Sequence, residues 1–155
     1  MTVIAAVAVL VGVLASATIL GVVLRSRTGR ARPTNAPTGR AGGRPPQHTD
    51  DLAPVDAFGS AATLVQFSTP TCARCPATRR QLDAVADSTA GVTRIEIDLA
   101  ERPELARRFD IMQTPAVLLL DGDRAVRTRF GGPPRPAELS AALDTVLTPG
   151  TEESR

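Results

Sequence analysis

Leu64-Val-Gln-Phe-Ser-Thr-Pro-Thr-Cys-Ala-Arg-Cys-Pro76 runs from a short apolar stretch straight into Cys72 and Cys75, the only two cysteines in the chain. The spacing suggests a dithiol. A helix opening at Cys72 carries both sulfurs, at i and i+3, on its first turn, where they can close into a disulfide and reopen. The first sulfur lies at the helix N-terminus, where partial positive charge favours the thiolate, and the second lies one turn deeper. Arg74 adds a full positive charge between them. Thiols so placed fall from a pKa of about 8.5 to roughly 3.5–7.5, which makes Cys72 a nucleophile near neutral pH.

A C-x-x-C is also half a zinc site. Structural zinc takes about four ligands, and this chain has no third cysteine and a single histidine, His48, far upstream in Pro/Gly/Arg-rich sequence. Zinc within one chain is therefore disfavoured. Three readings stay open: a redox dithiol, which the residues favour; a metal held across two chains; and an incidental pair of buried cysteines.

The chain has 155 residues, room for one domain. Residues 1–24 contain no charged side chain, and from Val3 to Leu24 the apolar run is broken only by small or weakly polar residues such as Gly12, Ser16, Thr18 and Gly21. At about 1.5 Å per residue this helix spans roughly 33 Å, enough for a bilayer core, so 1–24 is expected to be a transmembrane anchor. Ala15-Ser16-Ala17 resembles a signal-cleavage site, but there is no positive n-region and the apolar run continues to Leu24. All 18 basic residues are arginine, and six of them, from Arg25 to Arg44, precede every acid in the chain. From His48 onward, 12 arginines face 16 acids, a formal charge of −4. The compact part is thus acidic and has no Trp or Tyr to stack on bases, which excludes a nucleic-acid partner; lipid headgroups suit the arginines better.

Residues 25–49, rich in Pro, Gly, Arg and Thr, are expected to form a disordered linker, residues 50–148 one folded unit, and 149–155 a flexible tail. Within the unit, 63–67 is a buried strand, 72–87 a helix with Leu82, Val85 and Ala86 on its apolar stripe, and 92–98 an alternating strand. A short helix over 102–109 tolerates Pro103 in its first turn. Strands over 115–120 and 124–130 form a hairpin about Asp121-Gly122-Asp123, and 137–147 is an amphipathic helix.

The resulting β-α-β-α-β-β-α order, with the dithiol at the first strand-to-helix junction, resembles the thioredoxin family from about Leu64 to Leu147. Cys72-Ala-Arg-Cys75 stands at that family's active-site position. Arg94-Ile-Glu-Ile-Asp98 is similar to its central strand, Thr114-Pro115-Ala-Val-Leu-Leu-Leu-Asp-Gly to its cis-proline, strand and turn, and Gly131-Gly132 precedes the last helix. The single anchor, basic linker and Pro-Thr-Cys approach resemble its membrane-anchored TlpA/MauD-like branch. The resemblance implies an α/β thioredoxin-like fold, a mixed central sheet flanked by helices, behind one transmembrane helix. It also implies a thiol–disulfide oxidoreductase. Cys72 is its nucleophile, Cys75 resolves the mixed disulfide, and Pro115 with Thr114 docks an extended substrate. No cofactor is expected beyond the redox-active Cys72–Cys75 disulfide. The expected partners are protein or small-molecule disulfides, an upstream thiol reductant or oxidant, and membrane lipid.

Three departures matter. Gln66 stands where the family has a buried carboxylate that takes a proton from the deeper cysteine, so that step must run without it or use water or a neighbour such as Glu96. Thr71 replaces the usual aromatic residue before the first cysteine. Pro76 follows Cys75, where it removes at most an early helix bond. The alternative functions are a thioredoxin-like copper chaperone, holding Cu(I) between Cys72 and Cys75 with Met112 nearby, or a cytochrome or enzyme maturation factor. Positive-inside bias from Arg25, Arg27, Arg30 and Arg32 places the domain on the cytoplasmic side of the cell membrane as a single-pass protein, with the extracytoplasmic side as the alternative.

Overall fold

The computed structural model describes residues 2–27, 31–33 and 48–148, with side chains over 7–22 and 48–148. Its core is a five-stranded mixed sheet in the order β1 (Ala31–Pro33), β5 (Val126–Gly131), β4 (Ala116–Asp121), β2 (Ala62–Ser68) and β3 (Val92–Asp98). β2 lies parallel to β3 and antiparallel to β4, which turns back into β5. The parallel β2–β3 pair needs a crossover, supplied by α2 (Cys75–Ser88); α3 (Pro103–Arg108) connects β3 to β4, and α4 (Pro136–Leu147) follows β5.

Side-chain alternation on β2 divides the core. Ala62 and Leu64 face α2 and α4, where they pack with Leu82, Val117, Leu119, Phe130, Leu139 and Leu143. Val65 and Phe67 face the other way, onto Ile95, Ile97, Leu105, Phe109, Leu118 and Leu120. With both faces covered, every residue of β2 is buried, which is why its sequence reads as an apolar run with only Thr63, Gln66 and Ser68 as polar members.

The strands and helices of the folded unit fall within two residues of their expected bounds, with one consequential exception. α2 begins at Cys75 and not at Cys72. Arg74 occupies the N-cap position with Pro76 just inside the helix, and the Cys75 N–H is taken by the Cys72 carbonyl at 3.2 Å. The fixed φ of proline suits a first helical turn, so the helix starts there and Cys72 belongs to the preceding turn. The β4–β5 hairpin also differs in detail. The connection runs over 122–125, and Arg124 (φ 64°) is its left-handed residue. Gly122 is required by contact, since a Cβ there would lie 2.8 Å from the Ser60 carbonyl oxygen.

Two features lie before the folded unit. Ala31–Pro33, inside the segment expected as linker, forms the edge strand β1, antiparallel to β5 with Ala31 opposite Phe130. α1 (Thr2–Arg27) is a continuous helix, but among the described residues no helix is long and apolar enough to cross a membrane. The structure therefore lends no support to the anchor expected over 1–24. The tail expected over 149–155 lies outside the described residues.

Candidate active site

β2 ends at Ser68, and the chain turns twice before the helix. The Cys72 N–H bonds the Thr69 carbonyl at 3.0 Å and the Cys75 N–H bonds the Cys72 carbonyl. This double turn brings the sulfurs together as a disulfide, with the Cα atoms 5.5 Å apart. The two cysteines are not equivalent. Cys72 is half-buried, whereas Cys75 is 4% exposed and counts among the core residues. Arg74 is exposed between them at the helix N-cap, so its charge adds to the positive end of the helix dipole beside Cys72.

The antiparallel register of β2 and β4 sets what stands opposite. Phe67 pairs with Ala116, so continuing the register puts Pro115 beside Ser68 and Thr114 beside Thr69. The Thr69 and Thr114 hydroxyls lie 3.2 Å apart, which ties the cysteine loop to the start of β4. The Thr114–Pro115 peptide is cis, and Pro115 is buried while Thr114 is half-buried. Thr69 was not singled out from the sequence. No spacing signal marks it, because its role follows from strand register.

Gln66 lies beneath the helix start. It is wholly buried, its Nε2 donates to the Cys75 carbonyl at 3.1 Å, and its Oε1 has no hydrogen-bond partner among the described residues. Thr78, one turn into α2, is also buried and donates its hydroxyl to the Arg74 carbonyl at 3.1 Å.

Across the sheet, Glu96 is the register partner of Gln66 on β3. Arg79 of α2 donates to Glu96 at 2.7 Å and Arg94 of β3 at 3.2 Å, while Arg94 also bonds Asp83 of α2. The cluster fastens α2 to β3. Partial burial pushes the Glu96 carboxyl up, but hydrogen bonds from Arg79 and Ser68 and the charges of Arg79 and Arg94 outweigh it and hold the pKa below the usual range. Glu96 is therefore an anchored carboxylate and a weak base. Alternation along β3 places Arg94 and Glu96 on one face, and Arg79 is four residues beyond Cys75; those two spacings are the sequence signal for the cluster.

Among the described residues, no group of three or more His, Cys, Asp and Glu side chains stands close enough to hold a metal ion. Met112 is 87% exposed.

The thioredoxin family model matches residues 54–145, more than half of the chain. A thioredoxin from Alicyclobacillus acidocaldarius subsp. acidocaldarius is 32% identical over 90 residues, covering 57% of this chain and 85% of that one. A thioredoxin from Methanocaldococcus jannaschii is 31% identical over 78 residues, 50% of this chain and 86% of its own. Among solved structures, a mutant thioredoxin from Halobacterium salinarum NRC-1 superposes with a TM-score of 0.54 at 19% identity, over 65% of this chain and 87% of that one, a likeness of fold. With its disulfide at the β2–α2 junction, the chain belongs to the thioredoxin family of thiol–disulfide oxidoreductases.

Proposed function

We propose that Cys72 is the attacking sulfur and Cys75 the resolving one in an exchange with protein disulfides. The observation that carries this reading is the unequal burial of the two cysteines across the helix start. In the reduced protein the Cys72 thiolate attacks one sulfur of a partner disulfide. That S–S bond breaks, its other sulfur leaves and takes up a proton, and a mixed disulfide remains. Cys75 then loses its proton and attacks Cys72 Sγ, releasing the second partner sulfur. The partner gains two electrons and this chain closes its own bridge. Pro115 and Thr114 line the approach to Cys72 and offer backbone to an extended substrate, and Arg74 favours the Cys72 thiolate.

We propose further that 1–24 holds the domain at a membrane, as in the TlpA/MauD-like branch. Support comes from the charge-free sequence and from the polar groups within it. Between 7 and 22 the only hydroxyls are Ser16 and Thr18, and both donate back to helix carbonyls, of Gly12 and Leu14, at 2.8 Å, as groups facing lipid must. Arg25, Arg27, Arg30 and Arg32 favour the cytoplasmic side, where ambient thiols would make the chain a reductase.

Trapping tests the assignment of roles: Cys75→Ser should accumulate mixed disulfides with partner proteins and Cys72→Ser should not. Equal trapping by both would overturn it. For topology, alkaline phosphatase fused after Arg155 should be inactive in intact cells, and strong activity would place the domain outside.

A further inference from the structure

The orientation of the Gln66 carboxamide is fixed by its neighbour. A backbone carbonyl can only accept, so the end facing the Cys75 carbonyl at 3.1 Å must be the nitrogen. The oxygen is left inside the same enclosure, buried and with no donor reaching it among the described residues. On the same face of the sheet, Leu64, two residues before Gln66 on β2, and Val117, its register partner on β4, are apolar and wholly buried, and the Thr78 hydroxyl is committed to the Arg74 carbonyl. In the disulfide form, neither sulfur carries a hydrogen.

Reduction changes that inventory. When two glutathione thiols reduce the bridge, the Cys72–Cys75 bond breaks, each sulfur gains one hydrogen, and glutathione disulfide forms. Cys72 is half-buried and can meet water, but Cys75 is 4% exposed, so the acceptor open to its new, weakly donating S–H belongs to the protein. The Cys75 carbonyl and sulfur belong to the same residue. The carboxamide that reaches one therefore stands within a side chain's length of the other.

We propose that Gln66 Oε1 accepts the hydrogen of the reduced Cys75 thiol, a bond available only to the dithiol, so that Gln66 biases the couple toward its reduced form. This inference rests on the reading of Cys72 and Cys75 as an exchanging pair. Gln66 acts here as a positioning residue. A neutral amide holds the thiol proton without removing it, which separates its role from that of a buried carboxylate.

The test is the redox equilibrium of the full-length protein in glutathione buffers, read by thiol alkylation, for wild type and Gln66→Met. Methionine keeps the side chain's length and apolar body but loses both polar ends. The equilibrium constant for reduction should fall about tenfold, or about 30 mV for a two-electron couple. A second measurement needs no variant: on reduction of wild type, the Gln66 side-chain carbonyl carbon resonance should move downfield. An unchanged constant, a shift toward the dithiol, or an unmoved resonance would overturn the proposal. A wild type that never equilibrates with glutathione would instead overturn the exchange reading itself.

Discussion

Gln66, on the interior strand β2, donates its side-chain nitrogen to the backbone carbonyl of Cys75, so that the floor of the fold holds the first turn of the active-site helix. Replacing it with aspartate puts a titratable group in a fully buried position. Desolvation raises the pKa of such an acid above its usual ~3.9. The sign for stability follows: Gln66→Asp should lie closest to wild type below about pH 4 and lose ground as pH rises through the raised folded value. Once ionised, the carboxylate can take the Cys75 proton. Insulin-reduction rates between about pH 6 and 9, bracketing the ~8.5 of an ordinary thiol, should then gain a new limb, with acceleration toward the ~10²-fold a positioned base supplies. An unchanged profile would show that proton removal from Cys75 does not limit turnover.

Glu96 offers a second pH signature. Its folded pKa lies below the ordinary 4.5, so its ion pairs with Arg79 and Arg94 stabilise the fold fully above that ordinary value. That contribution disappears as pH falls through the lowered folded value. Glu96→Gln should cost about 1 kcal/mol at neutral pH, the scale of a partly buried hydrogen-bonded charge. Urea denaturation at pH 7 and pH 3 measures it, and the gap between variant and wild type should narrow at the lower pH. A gap independent of pH would mean that Glu96 contributes through packing alone.

Much of this fold was legible because periodicity and burial coincide. The apolar run of β2, the alternation of β3 and the stripe on α4 each reflect how many faces of the element are covered. Cys72 and Cys75 were legible through spacing, and Thr114-Pro115 through the family resemblance of the stretch from Thr114 to Gly122. The helix start escaped, because a propensity reading sees two cysteines on one turn and cannot see that the Cys75 N–H is taken by the Cys72 carbonyl. The pairing of Ala31–Pro33 with β5 escaped for a related reason: backbone hydrogen bonds at a sheet edge need no apolar pattern. Thr69 and the orphaned Gln66 oxygen depend on register and orientation, which composition does not encode.

Phe67 and Phe109 carry the core on the face away from α2, with ring centroids 5.6 Å apart and both side chains wholly buried. Phe109→Ala should cost about 3–5 kcal/mol. In a double-mutant cycle with Phe67→Ala, the coupling should be roughly 0.5–1.5 kcal/mol beyond area burial. Denaturant midpoints of the two single variants and the double variant measure this, and strict additivity would mean that the ring pair adds nothing specific.

Asp51 binds the start of the folded unit to α3. Its carboxylate receives hydrogen bonds from both terminal nitrogens of Arg108, whose guanidinium also lies 4.8 Å from the Phe109 ring centroid. Beside it, Leu52 and Thr49 are each 4% exposed, so the loop has a buried footing as well as an ionic one. The Arg108 hydrogen bonds, opposed by slight desolvation, pull the Asp51 pKa from 3.8 to about 2. A carboxyl with a depressed folded pKa stabilises above its unfolded value, and that stability is lost as pH falls from about 4 to about 2. The Asp51 side chain is 54% exposed, so solvent screens the pair and Asp51→Asn should cost only about 0.2–1 kcal/mol at pH 7. The difference should shrink in high salt and vanish near pH 2. Hydrogen exchange at the Leu52 N–H, which bonds the Thr49 carbonyl at 3.1 Å, reports the same contact locally. Its protection should fall in the variant at pH 7, while protection of the β2 amides stays unchanged. Loss of protection in β2 as well would show that the Asp51–Arg108 pair supports the whole sheet and not the loop alone.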